Sequence, residues 1–285
     1  MTLSLPLLAL LAALAASGLP PPADLLRLQA DKNVGLAALE QGDAVEAARR
    51  FDAVRRLAPA EPLGWANGAV AAMRSKELAA AEKLLSRARA LDPENPRMIA
   101  LEGTQRELSG DVAGAIEAFE KAAAASPGDL ASRWSAARLA SGQGQGDARR
   151  ARALRDVEAA LAQAPANLFL LARLGELARA QSDAARAASA LDRISELVAG
   201  EPRLDEALAQ ARAAQASGDV KTATLKATVV ENLLKAMPRY QQARRDVEPG
   251  VVGLPLETWT PALEAAMRAR ASRPVDVRFV ALPEA

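Results

Sequence analysis

The chain has 285 residues, half of them apolar but only 3% aromatic, and carries 36 basic against 35 acidic residues for a net charge of +1. It contains no cysteine and no histidine. That removes disulfides, thiol catalysis, the commonest general base and the commonest zinc ligand together. Basic and acidic residues are interleaved with no basic patch, which argues against a nucleic-acid partner. The apolar content is mostly Ala and Leu, the best apolar helix formers, so the expected class is all-α.

Leu3 to Ala16 is apolar except for Ser4, and the small residues Ser17 and Gly18 follow. This layout reads as a secretory signal over residues 1–18, too short to span a bilayer comfortably. No Lys or Arg precedes Arg27, so the same stretch also reads as an apolar helix capping whatever follows. The first reading places the protein in a periplasm or outside the cell with no stable membrane span after cleavage. The second leaves it cytoplasmic. Residues 19–27 form a linker.

From Leu28 onward the chain repeats. Pro59, Pro93 and Pro127 stand 34 residues apart, each placed to end a helix because proline lacks an amide proton and restricts the residue before it. The first unit has Gly35, a Gly42-Asp43 turn, then Ala47, Phe51 and Val54. The second has Trp65, Ala69, Ala81, Leu85 and Ala88, and the third Ile99, Gly103, a Gly110-Asp111 turn, Ala115, Phe119 and Ala122. In the fourth the first helix is expected from about Asp129 to Leu139, followed by a longer turn, SGQGQGD, and Pro165 comes 38 residues after Pro127. A fifth unit carries Gly175, Ser182-Asp183, Ala187, Leu191 and Ile194. A sixth, about Leu204 to Met237, is more degenerate, as terminal units are. The alternating glycines of SGQGQGD follow a helix rather than a strand and no Lys-Ser or Lys-Thr comes after them, so they read as an inter-helix loop and not a phosphate cradle.

These spacings resemble the tetratricopeptide repeat. The resemblance implies a right-handed superhelical solenoid of about five to six helix pairs over residues 28–238, with small residues where paired helices cross and a bulky one at the Phe51 position. The family's usual aromatic in the middle of the first helix is replaced by Ala38, Ala72, Arg106, Ala140 and Ala178, which implies thinner packing. The resemblance also implies that first helices line a concave groove that binds a protein or peptide partner. Carried over by register, that groove takes in Leu36 and Leu39, Val70 and Met73, then Arg97, Thr104 and Glu107. Trp134 and Arg138 follow, then Phe169, Glu176 and Arg179. Trp134 is open to two readings, a groove aromatic of the kind that dominates binding or, with the register slipped by one, a core equivalent of Trp65. Phe169 also reads as packing between repeats, the reading its size favours.

After Met237 the pattern changes, and residues 239–285 read as an irregular tail. A short helix is expected over about Pro261 to Ala271, and Val275 to Val280 alternates as a strand does. This tail resembles the linker that joins such arrays to integrin-like β-propeller and ASPIC/UnbV-type domains in large bacterial secreted proteins. The extended stretch Pro249 to Pro255 is a candidate to lie in the groove itself.

The expected function is therefore a non-enzymatic scaffold or adaptor of the cell envelope. The alternative is a structural spacer, or an amino-terminal module of a larger propeller-type protein, acting through its convex face and tail. No catalytic residue, cofactor or metal ligand is assigned, because no carboxylate pair stands in the apolar setting that acid–base catalysis needs. The sequence leaves the oligomeric state open.

Overall fold

The computed structural model describes residues 24–142 and 146–271. The expected signal or cap over 1–18, most of the linker over 19–27 and the Val275 to Val280 alternation lie outside them, as do residues 143–145 of the SGQGQGD loop. Fourteen helices and no strand occur among the described residues. Twelve form six antiparallel pairs: α1 (Leu25–Glu40) with α2 (Ala44–Leu57), α3 (Pro62–Arg74) with α4 (Leu78–Leu91), α5 (Pro96–Leu108) with α6 (Val112–Ala125), α7 (Leu130–Ala140) with α8 (Asp147–Gln163), α9 (Leu168–Ala180) with α10 (Ala184–Val198), and α11 (Pro202–Ala216) with α12 (Val220–Lys235). Two short helices follow, α13 (Pro238–Arg245) and α14 (Pro261–Ala271).

Local signals account for the boundaries. Pro59, Pro93, Pro127 and Pro165 each fall two residues beyond the end of a second helix, and Pro62, Pro96, Pro202 and Pro238 each open the next one, where a missing N–H costs nothing. Asp43, Asp111, Asp129, Asp183 and Asp219 each accept the amide three residues on, satisfying one orphan donor of a helix start. The turn within a pair needs a residue at positive φ. Gly42 and Gly110 supply it at +78° and +83°, whereas the equivalent position in the second pair is Lys76 at +63°, strained for a side chain with a Cβ.

Packing within a pair follows the small-to-large pattern. The Phe51 ring lies against Gly35 and the Phe119 ring against Gly103, so closely that a Cβ on either glycine would stand 2.8 Å from ring carbon. Both phenylalanines are buried, and each contributes about 1.5–3 kcal/mol by leaving water. In the second pair Ala69 and Leu85, also buried, take the same two places. Ala38, Ala72, Ala140 and Ala178 are buried at the positions where the repeat usually has an aromatic. At the fifth such position, Arg106 turns back to Glu102 at 2.5 Å and donates to the Gly114 carbonyl at 3.3 Å.

The helices fall in two compact units. Among the described residues, one contains residues 24–93 together with 254–271, and the other lies within Glu94–Gly253. The first therefore holds two helix pairs and the returning end of the chain. The second holds four pairs and α13, around a core running from Ile116 through Leu171 and Leu208 to Val247.

Candidate functional site: the first-helix faces and the chain end they hold

In the first unit the face of α1 and α3 is covered by residues 256–263. Asn67 lies in the middle of α3, fully buried in an otherwise apolar stretch from Leu63 to Met73. Its Nδ2 donates to the Leu256 carbonyl at 2.8 Å, and its Oδ1 accepts from the Leu256 amide at 2.7 Å. A carboxamide set against both backbone groups of one residue satisfies an extended chain much as a neighbouring strand would. Lys32 of α1 donates to the Glu257 carbonyl at 2.8 Å, and its ammonium stands 5.2 Å from the centre of the Trp259 ring. The indole N–H of Trp259 donates to Gln29 Oε1 at 2.8 Å. Glu61, just before α3, accepts the Thr260 hydroxyl at 2.7 Å and the Thr260 amide at 3.2 Å. Leu256, Trp259 and Leu263 are all buried by this docking.

Burial shapes the charges here. It lifts the Glu61 carboxyl above the usual carboxylate range, although the two Thr260 donors pull the other way. It also lowers the Lys32 ammonium, opposed by the nearby carboxylates of Glu257 and Glu264.

In the second unit the face of α7 and α9 is covered by α13 and the residues after it. Trp134, Phe169 and Tyr240 form an edge-to-face series, with ring centroids 5.3 Å apart for the first pair and 5.9 Å for the second. The indole N–H of Trp134 donates to Glu248 Oε1 at 2.7 Å, while Arg244 holds the other oxygen of that carboxylate at 2.9 Å. Asn167 caps α9 by accepting the Leu170 amide at 2.9 Å and donates to the Ala243 carbonyl at 3.0 Å. Arg173 stands over the Phe169 ring and pairs with Glu176 and Glu231. Each unit thus holds a piece of the carboxy-terminal segment through a buried asparagine that donates to its backbone.

Residues 38–103 match the family model described as tetratricopeptide repeat. Among solved structures the chain is similar to PilF of Pseudomonas aeruginosa, at 17% identity and a TM-score of 0.54 over 77% of this chain and 97% of that one. It is similar to PilW, a type IV pilus biogenesis factor, at 15% identity and 0.52 over 75% and 97%, and to MamA at 14% and 0.51 over 61% and 92%. No curated protein matches the sequence. The array has the tetratricopeptide fold.

Within that tetratricopeptide array the residues expected in the groove divide sharply. Leu39, Val70 and Met73 are buried. They are not open surface, and Val70 stands one helical turn from Asn67 along α3. Leu36 and Arg97 are half-buried, and Thr104 turns its hydroxyl back onto its own helix at the Ala100 carbonyl. Glu107 and Arg138 meet at 2.6 Å, joining α5 to α7 across the outward face. Glu176 is exposed and engaged with Arg173, while Arg179 is half-buried beside Gly175 and Glu231. Trp134 and Phe169 lie together, buried under α13. Trp134 is not placed as Trp65 is: Trp65 donates to the Pro59 carbonyl and stands near Arg55 and Arg87.

Sequence reasoning missed Asn67, Lys32, Glu61 and Asn167. The signal for Asn67 was present, since an asparagine inside LGWANGAVAAM is a polar residue on a face that must be buried, and buried polar groups are paired. No group of three or more acidic side chains that could hold a metal occurs among the described residues. No helix among them is long and apolar enough to cross a membrane. What this geometry can do is hold peptide backbone and one aromatic side chain by hydrogen bonds.

Proposed function

We propose that the protein is a protein-interaction scaffold whose first-helix faces take an extended segment of a partner. The observation that carries this is the Asn67 carboxamide gripping both backbone groups of Leu256, for a face that holds one extended segment by its main chain has the means to hold another. A setting in the cell envelope is consistent with the apolar residues 1–18 and with the similarity to PilW, a pilus biogenesis factor. The second reading, a spacer or module leading into a propeller-type protein, needs the tail as a free linker. Four side chains committed to residues 256–260 favour the groove reading over that one.

The test is site-specific photo-cross-linking in the native host. A cross-linking residue at Leu36 or Arg138, on first helices, should capture a partner, and one at Arg193, on a second helix, should not. Capture from Arg193 alone would transfer the function to the opposite face.

A further inference from the structure

Resting on the groove reading, we propose what the face of α1 and α3 recognises. Its ligand is an extended segment entering a helix, with an apolar residue, a Trp three positions on and a hydroxyl residue next, and the chain's own residues 256–263 act as its tethered competitor. The contacts are of two kinds. Asn67 and Lys32 address main-chain groups and would accept many sequences. Gln29, Lys32 and Glu61 address side chains, and together they read an indole and a hydroxyl. Trp alone among apolar residues offers both a π face for the Lys32 ammonium and an N–H for Gln29. Glu61 takes the hydroxyl and amide of a residue that starts a helix, since the Thr260 carbonyl accepts the Glu264 amide at 3.0 Å.

The chemistry of the floor argues that this seat also opens. A segment that only capped the unit would sit most stably on apolar side chains, because burying the Glu61 carboxylate and the Asn67 carboxamide and half-covering Lys32 and Gln29 costs hydration. These four groups regain water when the segment leaves, which offsets part of the cost of opening. The connection into the segment passes through exposed Val251 and Val252, between Gly250 and Gly253 at φ +74° and +64°.

The experiment uses the full chain with a protease site inserted between Val251 and Val252, cleaved so that every residue is retained, and a fluorescent synthetic peptide spanning Gly253–Arg268. In the uncut chain the tethered segment competes at an effective concentration of about a millimolar. Nicking and dilution should raise the apparent affinity for the peptide at least tenfold, and a peptide with Trp259→Ala should bind at least tenfold more weakly. The intact chain carrying Trp259→Ala should show the same rise without an insertion. Equal binding by cut and uncut chains, no binding by either, or indifference to Trp259→Ala in the peptide overturns the proposal. If Leu36 cross-links a partner while the peptide does not bind, this inference fails and the groove reading stands. If neither occurs, both fail.

Discussion

Replacing Asn67 with Ala tests whether hydrogen bonds to the main chain hold the carboxy-terminal segment. The substitution removes two bonds, at 2.7 and 2.8 Å, and leaves the Leu256 N–H and C=O without partners in a buried place. Each orphaned group costs about 1–3 kcal/mol, so the loss would be about 2–6 kcal/mol if the segment stayed put. It can instead lift and rehydrate, so the loss cannot exceed the free energy of docking. Burying Leu256, Trp259 and Leu263 gains about 1.5–3 kcal/mol each, against about 1–2 kcal/mol of backbone entropy for every residue ordered. Docking is therefore a small difference, and the expected result is local opening with the α3 helix intact. Hydrogen exchange reads this directly, because the Leu256 and Thr260 amides are held by Asn67 and Glu61. About 2 kcal/mol corresponds to roughly 30-fold faster exchange at both amides, with the Leu170 amide of the second unit unchanged. Unaltered exchange at Leu256, or acceleration shared equally by the amides within α3, would refute the reasoning.

Three further outcomes follow from the same structure. Lys76→Gly should stabilise the protein by about 0.5–1 kcal/mol, because Lys76 holds φ +63° where Gly42 and Gly110 sit in the neighbouring pairs; an unchanged or lowered urea midpoint would contradict this. Gly103→Ala should destabilise by about 1–2 kcal/mol despite its better helix propensity, because the new Cβ would stand 2.8 Å from the Phe119 ring. Adding Phe119→Leu should recover part of that loss by reproducing the Ala69 and Leu85 arrangement, and a double-mutant cycle checks the sign of the coupling. Burial lifts the Glu61, Glu120 and Asp156 carboxyls, so above the ordinary carboxylate range near pH 4 the folded chain binds more protons than the unfolded one. Stability should then rise as pH falls from neutral toward that range, and decline below it as the paired Asp183 and Asp219, whose carboxyls are held low, take up protons. Melting temperatures from pH 8 to 4 measure this, and Glu61→Gln should flatten the upper part of the profile.

The array was legible because its determinants are local. Prolines two residues past the first four second helices, aspartates at the caps and the Gly35–Phe51 and Gly103–Phe119 spacings act within one pair, so they recur in sequence. Helix α14 occupies the expected Pro261–Ala271 for the same reason, with Pro261 opening it. The site was less legible because its determinants are distant. Asn67 and Leu256 are 189 residues apart, and Gln29 and Trp259 are 230 apart, so no periodicity links them. Carrying groove positions over by register treats the first-helix face as bare. Val70 and the Trp134–Phe169 pair, at positions where that register points outward, are instead buried, the pair because Tyr240 and Glu248 lie against it.

The two covered faces are held by different forces, and that difference has a consequence for function. On α7 and α9 the contact is a series of aromatic rings closed by Tyr240 and Val247, both buried in the same core as Leu170 and Leu171. Exposing that contact would put large apolar surface into water, at about 25 cal/mol for each Å². On α1 and α3 polar side chains, Asn67, Lys32, Gln29 and Glu61, surround the buried Leu256, Trp259 and Leu263. Water replaces polar partners at little net cost, since an exchanged hydrogen bond is worth about 0.5–1.5 kcal/mol. Helix α13 is therefore expected to stay closed over its unit when Leu256 to Leu263 lifts, as the proposed exchange at the α1 and α3 face requires.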